Sequence, residues 1–382
     1  MKSWRNVAVF GIVLILYVAI NIYIGAHGLL WMRQWMPAMS VVVYWSVFAL
    51  VALAYLLALL PWRKELYQIK RWLKIIGAYY MAMMQFAVIM LLIADLLYVV
   101  LLYFGGDMSA YIQVTGSIIL FFIAVALGWG SRNAWSTVIR KYPVTIEKEV
   151  DDLKGLRVIV VSDIHLGDIV GKRHLQRMID QIYQKKPDLV LMVGDILDDR
   201  IEPFIRHRMD QQLKDLQATY GVYAVLGNHE YYGGAVKQFT DMMDRVGIRV
   251  LQDEVIEVAG CYLVGRKDKA AESMDENGRQ TIDALLAGIN QSKPIIVMDH
   301  QPFHLDKASS AGVDLLLCGH THRGQFAPNH WVTERMYEID WGHMRKEQTD
   351  VVVTSGFGTW GPPIRLGSRS EIVELEIRFL RK

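Results

Sequence analysis

Cysteine is scarce in this sequence: its 382 residues include two, Cys261 and Cys318, and they form no CxxC pair. This excludes a disulfide-stabilised secreted scaffold, and both thiols are expected to be buried. Proline, with ten residues, and glycine, with thirty, are too few for a collagen-like chain. Hydrophobic residues make up 53% of the chain, which excludes a disordered protein.

Negative charge is nearly missing from the N-terminal third. Residues 1–141 contain eleven Lys or Arg but three acids, Glu65, Asp95 and Asp107, whereas the remainder has 30 bases and 36 acids. With 21% charged residues and a mean hydropathy of +0.21, the chain is too apolar for a wholly soluble enzyme and too charged for a simple membrane bundle. We therefore expect a membrane part joined to a mildly acidic soluble part. No basic patch indicates a nucleic-acid partner.

Long uncharged runs in the first 140 residues predict a transmembrane domain. A helix that crosses the hydrocarbon core needs about 20 apolar residues, and residues 6–32 contain no Asp, Glu, Lys or Arg. This first run is too long for the core of a signal peptide and lacks a small-residue cleavage site, so we expect it to be retained. The predicted domain, residues 1–140, has four helices, at about 6–32, 38–62, 75–104 and 111–130.

The basic residues between these runs predict the orientation. Cytoplasmic loops are enriched in Lys and Arg, and residues 63–74 contain five of them, whereas residues 105–109 contain none. We therefore expect an integral protein of the inner or plasma membrane, with its N terminus and everything after the fourth helix in the cytoplasm. An exported catalytic domain is the alternative. Asp95, inside the third run, is a candidate for an intramembrane function, unless it lies near the interface.

Beyond residue 156 the pattern changes to short β-branched runs that alternate with amphipathic stretches. Ligands bind beyond the carboxyl ends of strands in open α/β sheets, and polar residues follow five of these runs directly. We expect residues 141–155 to form a linker and residues 156–382 an α/β domain. The five runs predict buried strands at residues 157–162, 189–193, 222–226, 295–298 and 313–317.

The polar residues after these strands are carboxylates, imidazoles and an amide beside glycines. Carboxylate and imidazole are ligands for borderline divalent cations, and glycine lets the backbone approach a ligand closely. One such cluster alone is a weak signal, but five of them, each directly after a strand, predict a metal centre. The clusters contain Asp163 and His165, Asp195 and Asp198, Asn228, His229 and Glu230, His300, and His320 and His322.

In this order the five clusters resemble the calcineurin-like metallophosphoesterase superfamily. The closing segment, residues 355–365, is similar to the bacterial membrane-associated YkuE/YaeI-type phosphohydrolase branch. The resemblance covers residues 156 to the C terminus and implies an αββα sandwich of two mixed sheets with two metal ions at the strand ends. It also implies the ligands, with one ion on Asp163, His165 and His322, the other on Asn228, His300 and His320, and Asp195 between them.

The resemblance gives roles to other residues as well. It implies that His229 is the catalytic histidine, with Glu230 and Asp198 behind the ligands. Arg323 and Arg365 are candidates for contacting a substrate phosphate, with ordinary packing as the alternative. Mixed carboxylate, imidazole and amide ligands suit manganese first, and iron, zinc or cobalt as alternatives.

These inferences predict a membrane-anchored phosphohydrolase. Two metal ions ~3.5–4 Å apart lower the pKa of a shared water, whose hydroxide attacks a phosphodiester, pyrophosphate or phosphomonoester while His229 protonates the leaving oxygen. The anchor favours a lipid-linked substrate, and residues 329–348 are a candidate lip facing lipid or an insertion packed on the core. One alternative is a phosphodiesterase or nuclease for soluble nucleotides, in which the helices serve only as an anchor. The other is a non-enzymatic membrane sensor that uses the metal domain for regulation.

Overall fold

The computed structural model of the chain describes residues 2–150 and 153–380. It contains two compact units, Met1–Trp129 and Gly130–Lys382. The first unit is helical, and a short 3-10 helix, Lys64–Leu66, precedes its third long helix. The long helices are α1 (Lys2–Trp35), α2 (Val41–Leu59), α3 (Tyr67–Tyr103) and α4 (Met108–Trp135).

All four of these helices are long and apolar enough to cross a membrane, which confirms the prediction of four apolar N-terminal helices. Large aliphatic and aromatic side chains cover their outer faces, whereas the buried positions between α2 and α3 are mostly small, such as Ala54, Ala58 and Ala78. At Gly77 a Cβ atom would lie 2.2 Å from the backbone nitrogen of Tyr55. Small residues of this kind let membrane helices pack closely.

Helix α3 begins at Tyr67 rather than near residue 75. Its first turns contain Lys70, Arg71 and Lys74, which are good helix formers. The uncharged run therefore marks the apolar part of this helix and not its beginning.

The second unit contains two sheets, each with six strands among the residues that the structure describes. Nine further helices are described there: α5 (Lys172–Lys185), α6 (Ile201–Arg206), α7 (Met209–Leu213), α8 (Asn228–Gly233), α9 (Val236–Arg245), α10 (Ala271–Met274), α11 (Ile282–Leu285), α12 (Leu305–Ser310) and α13 (His330–Met336). The strands are β1 (Val138–Ile146), β2 (Gly155–Val161), β3 (Leu189–Val193), β4 (Val222–Val225), β5 (Ile248–Val250), β6 (Glu254–Val258), β7 (Cys261–Gly265), β8 (Ile295–Met298), β9 (Leu315–Cys318), β10 (Gly342–Lys346), β11 (Thr349–Val353) and β12 (Glu371–Phe379).

The strand order is β1-β12-β2-β3-β4-β5 in the first sheet and β10-β11-β9-β8-β7-β6 in the second. Strands β2, β3, β4 and β5 are mutually parallel, and Val160 of β2 lies opposite Leu191 of β3. In the second sheet β7, β8, β9 and β11 are parallel. Because parallel neighbours end at the same edge, the loops after β2, β3 and β4 leave the first sheet together, as do those after β8 and β9 in the second.

The alternation of side chains in β2 shows how the layers form. Val158 and Val160 belong to the apolar cluster that both sheets share, whereas Ile159 and Val161 belong to the cluster that the first sheet shares with its helices. Strands that are covered on both faces in this way are apolar at every position. A third cluster joins the second sheet to α11 and α12, so the layers are helix, sheet, sheet and helix, as predicted.

The structure differs from the predicted linker. Residues 138–146 form β1, which pairs in parallel with β12 along its whole length. Arg140 and Lys141 gave this segment a polar composition typical of a linker, but Val144 and Ile146 alternate into the core between the sheets. Charged outward positions are common on edge strands, and this explains why the strand was missed.

Candidate metal centre

The five predicted clusters come together in the second unit, in the loops after β2, β3, β4, β8 and β9. Three groups of possible ligands have atoms that lie within 4.8 Å of one another. Because His165 and Asp195 each belong to two groups, the three groups form one continuous centre. The groups are Asp163, His165 and His322, then His165, Asp195 and His229, and finally Asp195, His300 and His320.

The first group lies between the loops after β2 and β9. Nε2 of His165 is 3.0 Å from Nε2 of His322, and the latter nitrogen is 3.3 Å from Oδ1 of Asp163. Asp163 also accepts hydrogen bonds at 3.0 Å from the backbone N–H of His320, which ties the two loops together. Two nitrogens and a carboxylate oxygen therefore converge on one point.

The other two groups meet at Asp195, which follows the end of β3. Oδ2 of Asp195 is 3.0 Å from Nε2 of His300, and its Oδ1 accepts a hydrogen bond from the backbone N–H of His229 at 3.0 Å. The neighbouring Asn228 is buried, and its side-chain Oδ1 has no hydrogen-bond partner among the described residues. A buried oxygen without a partner is rare in folded proteins, and here it lies beside the predicted bridging carboxylate.

The backbone is strained at this centre. Five of the predicted ligands have a positive φ, a conformation that costs a non-glycine residue on the order of 1–3 kcal/mol. The nearby Gly227 is required for space, because a Cβ atom there would lie 2.1 Å from Oδ1 of Asp195. The five φ angles are 51° at Asp163, 50° at His165, 50° at Asp195, 70° at His320 and 49° at His322.

Burial keeps three of the imidazoles neutral. It lowers the pKa of His165 to about 3 and that of His320 to about 4, and it holds the pKa of His322 well below its usual value. Neutral imidazole is the form that binds a metal ion. The sequence prediction of these three histidines as ligands is therefore compatible with their environment.

The pKa values of the two buried carboxylates depend on each other and on the nearby imidazoles. Burial, with the nearby charge of Asp195, raises the pKa of Asp163 to about 7. Burial acts in the same direction on Asp195, but His300 and His229 outweigh it and lower its pKa. Three neutral imidazoles, two buried carboxylates and an unpartnered amide oxygen form a donor set that fits divalent cations.

His229 lies at the rim of the centre with one nitrogen anchored. Its Nδ1 is 2.6 Å from Oδ1 of Asp199 and its Nε2 is 3.9 Å from Oδ2 of Asp195. Burial alone would lower the pKa of His229, but the contact with Asp199 and the charge of Asp195 raise it to about 9. The arrangement presents an imidazole whose orientation is set by a carboxylate.

Comparison with known proteins agrees with this geometry. The family described as calcineurin-like phosphoesterase matches residues 156–324. An uncharacterized metallophosphoesterase of Aquifex aeolicus is 30% identical over 268 residues, which cover 67% of this chain and 98% of that protein. The chain belongs to the calcineurin-like metallophosphoesterase family.

Two other relatives are longer than the region they share with this metallophosphoesterase. An uncharacterized metallophosphoesterase of Helicobacter pylori is 33% identical over 241 residues, 63% of each chain. A Danio rerio protein named transmembrane protein with metallophosphoesterase domain is 32% identical over 246 residues, 62% of this chain and 56% of its own. The chain thus matches less than two thirds of the length of both. The family that the five sequence clusters predicted is therefore confirmed.

Glu230 and Asp198 connect the loops that contain the predicted ligands. The carboxylate of Glu230 accepts hydrogen bonds from the backbone N–H groups of Asp195, Leu197 and Gly227, at 3.1, 2.7 and 2.7 Å. It thereby joins the loops after β3 and β4. The backbone N–H of Asp198 donates to the carbonyl of Leu166 at 3.1 Å, which joins the loop after β3 to that after β2.

The sequence analysis missed Asp199, whose carboxylate makes the contact with His229. Asp198 and Asp199 are adjacent acids after the same strand, and only the backbone decides which of them reaches the imidazole. Asp199 has a φ of 55°, a left-handed turn that the composition did not reveal.

Arg365 lies in the interior of the second unit. Its side chain is fully buried, with 0% exposure, and its guanidinium donates to the carbonyls of Gly356 and Gly358 and to Nδ1 of His322, the last at 3.2 Å. These contacts favour packing, the alternative role, over a contact with substrate.

The contacts of Arg323 do not point to a substrate phosphate either. The Arg323 guanidinium donates to the carbonyl of Gly367 at 2.9 Å and stacks 4.1 Å from the centre of the Trp341 ring. These contacts favour the packing role that was its alternative.

Four aromatic rings surround the metal centre, and the sequence analysis did not foresee them as a group. The rings of Tyr232 and Trp360 lie 5.9 and 6.2 Å from the imidazole of His229. On the other side the ring of Tyr337 lies 6.4 Å from His320 and 5.0 Å from Phe303. Tyr232 and Trp360 are exposed, so the rim offers apolar surface to whatever approaches the centre.

Proposed function

We propose that this protein is a membrane-anchored phosphohydrolase with a dinuclear metal centre. Its catalytic domain lies in the cytoplasm, and its substrate is a lipid-linked phosphodiester, pyrophosphate or phosphomonoester. The observation that carries the proposal is the convergence of six predicted ligands on one centre, together with the anchored imidazole of His229. The four apolar helices support the anchor.

The predicted ligands divide between two ions, of which manganese is the first candidate. Asp163, His165 and His322 would hold one ion, whereas Asn228, His300 and His320 would hold the other, and Asp195 would contact both. When bound, the ions would lower the pKa of a water and draw negative charge from the phosphoryl oxygens.

His229 is proposed to supply the proton for the leaving oxygen. The contact of its Nδ1 with Asp199 fixes the ring and stabilises the protonated form, so that Nε2 faces the centre. General acid catalysis of this kind contributes roughly 10²–10⁴ in rate. Glu230 keeps the loops that carry Asp195 and His229 in register.

The aromatic rim and helix α13 support a substrate with an apolar part. Trp331, Val332 and Met336 on α13 and Trp360 in the rim are each more than half exposed. Exposed apolar groups beside a metal centre suit a lipid chain. A long nucleic acid would fit this surface less well, because its phosphates require clustered Lys and Arg residues. The lip predicted at residues 329–348 is thus retained as part of the proposal.

The test of the chemistry is hydrolysis of bis-p-nitrophenyl phosphate by the full chain in detergent. The protein is stripped of metal and then supplied with Mn, Fe, Zn, Co or Mg, next to the variants Asp195→Asn and His229→Ala. We expect metal-dependent turnover that both variants lose. His304→Ala, an exposed histidine outside the centre, is the matched control and keeps the activity.

The test of the substrate class is the order of rates on a lipid pyrophosphate, a cyclic nucleotide and single-stranded DNA. The proposal expects the lipid to be cleaved fastest and Trp360→Ala to weaken that preference. A faster reaction with the cyclic nucleotide would replace the lipid assignment. No turnover with any metal, despite two bound ions for each chain, would favour a sensor.

A further inference from the structure

A cavity of about 290 Å³ lies inside the first unit, between α1, α3 and α4. Its polar wall contains His27 from α1 and Asp95 from α3, and Leu30, Leu91 and Ile119 are among its apolar walls. Asp95 precedes the end of α3 by eight residues, which is about 12 Å of helix. An ionisable side chain at this depth in a membrane helix is costly and marks a functional position by default.

Asp95 is held by two side chains of α1 but remains open to the cavity. The hydroxyl of Tyr23 donates to its Oδ2 at 2.6 Å, and Nε2 of His27 lies 2.9 Å from its Oδ1. The ring of Tyr23 also packs edge-on against that of His27, with centroids 4.5 Å apart. Nevertheless, 45% of the Asp95 side chain and 28% of that of His27 are accessible.

The pair formed by His27 and Asp95 has no net charge. Nδ1 of His27 lies 2.9 Å from the carbonyl oxygen of Tyr23, so this nitrogen carries a proton and donates. One further proton is required between Nε2 and Oδ1 of Asp95. An imidazolium beside a carboxylate and an imidazole beside a carboxylic acid both satisfy these contacts, and both are neutral overall.

Two donors beside the cavity, Nε1 of Trp31 and the hydroxyl of Tyr111, are already engaged within the protein. The first donates to the hydroxyl of Ser117 at 3.2 Å and the second to the carbonyl of Ala94 at 2.6 Å. When Asp95 is ionised, each of its oxygens accepts one hydrogen bond and has capacity for a second. The cavity therefore offers a ligand the acceptor oxygens of Asp95.

A neutral donor meets these conditions best. An anion or an ammonium group would add a net charge to an apolar surrounding, which is costly. A hydroxyl donates to Asp95 without adding charge. The hydroxyls of Tyr98 and Thr115, which also line the cavity, can accept from or donate to it.

We propose that this cavity binds the hydroxyl head of a lipid alcohol, with Asp95 as the acceptor and the apolar walls around the first carbons of the chain. Its volume lies near the lower end of small-molecule pockets, ~300–1,000 Å³, so it encloses the head group rather than the whole chain. The proposal concerns the first unit alone and is independent of the chemistry at the metal centre.

The experiment uses the full chain in phosphatidylcholine nanodiscs and a dodecanol probe that carries a photoreactive diazirine. Labelled peptides are identified by mass spectrometry while dodecanol, dodecylamine or dodecanoate competes. We expect saturable labelling of cavity residues on α1, α3 and α4, with dodecanol as the strongest competitor. Dioctanoylglycerol, as a further competitor, distinguishes a glycerolipid from a single-chain alcohol.

Asp95→Asn is the diagnostic variant. It keeps the size of the side chain but leaves one acceptor oxygen, which Tyr23 or His27 occupies, so the apparent affinity for dodecanol is expected to fall about tenfold. The matched control is Asp107→Asn, the same change outside the cavity, where the side chain accepts from the N–H groups of Ser109 and Ala110. The control should bind as the unchanged protein does.

Ile112→Trp provides a second route that leaves every hydrogen bond of Asp95 in place. Ile112 lines the cavity from α4, and the larger ring should fill the space and abolish labelling. Tighter competition by dodecylamine or dodecanoate than by dodecanol would overturn the assignment. So would unchanged labelling in both Asp95→Asn and Ile112→Trp.

Discussion

The two units place polar and apolar groups in opposite ways. In the first unit most large apolar side chains lie outside, and the interior contains small residues, polar groups such as Asn21, and one small apolar cluster around Ile24, Ile119 and Ile123. In the second unit the apolar residues form three internal clusters, and the polar residues gather at the strand ends. The comparison shows that the surroundings of each unit decide which side chains are buried, because a helix in lipid gains little from burying apolar surface.

Substitution of Gly227, with Gly171 as the control, tests this contrast where the effect should be largest. A Cβ atom at Gly227 would lie 2.5 Å from the backbone nitrogen of Asp195, so Gly227→Ala should displace the proposed bridging ligand. We expect at least about a hundredfold loss of turnover, more than loss of an outer partner of a metal ligand costs. Gly171→Ala, with open space around it, should leave turnover and metal content unchanged. Equal activity of the two variants would refute the geometry proposed for the centre.

Asp199→Asn should have a smaller effect on the same centre. The amide keeps the shape but no longer stabilises a protonated His229, so kcat should fall about 10–100-fold while KM and metal content stay the same. A steady-state comparison with Asp198→Asn distinguishes the two acids. A larger loss in Asp198→Asn than in Asp199→Asn would restore the role first predicted for Asp198.

Gly77→Ala makes the corresponding change in the first unit. The new methyl group would press on the backbone of Tyr55 in α2, and overpacking of this kind costs about 1–3 kcal/mol. We expect a lower unfolding temperature for the helices but unchanged hydrolysis of a soluble diester. Gly11→Ala, where nothing lies within 4 Å, is the control. Loss of soluble-diester activity would show that the centre depends on the packing of α2 and α3.

Removal of metal should lower the stability of the second unit alone. Ions present at about 100 times their dissociation constant stabilise a folded domain by about 2.7 kcal/mol, so chelation should lower its unfolding temperature by several degrees. The helical signal of the first unit should melt at the same temperature with and without chelator. A common shift of both transitions would mean that the two units unfold together.

The buried strands were the most predictable part of this chain. Strands β3 and β8 have the bounds that their apolar runs predicted, because cover on both faces makes every position apolar. Strand β1 was missed because it lies at an edge and contains two adjacent basic residues, Arg140 and Lys141. Hydropathy likewise located the helices of the first unit but not the start of α3, whose first residues are basic.

The centre was predictable in its residue types but not in its supporting contacts. The order of the motifs identified the ligand candidates. The contact of Asp199 depends on one left-handed residue, however, and the aromatic rim depends on rings from four separate segments of the chain. Arg365 was a candidate for contacting a substrate phosphate, whereas its guanidinium donates to carbonyls in the interior. Such contacts arise from the tertiary fold and have no local signature.

The left-handed backbone at Asp163 and Asp195 has a practical consequence. Asparagine tolerates this conformation about as well as aspartate does. Replacing one carboxylate oxygen by an amino group should therefore remove the activity without changing the fold. A capture reagent built on Asp195→Asn would hold an uncleaved phosphoester in its native setting. The cellular substrate could then be identified among the molecules that co-purify with this inactive variant.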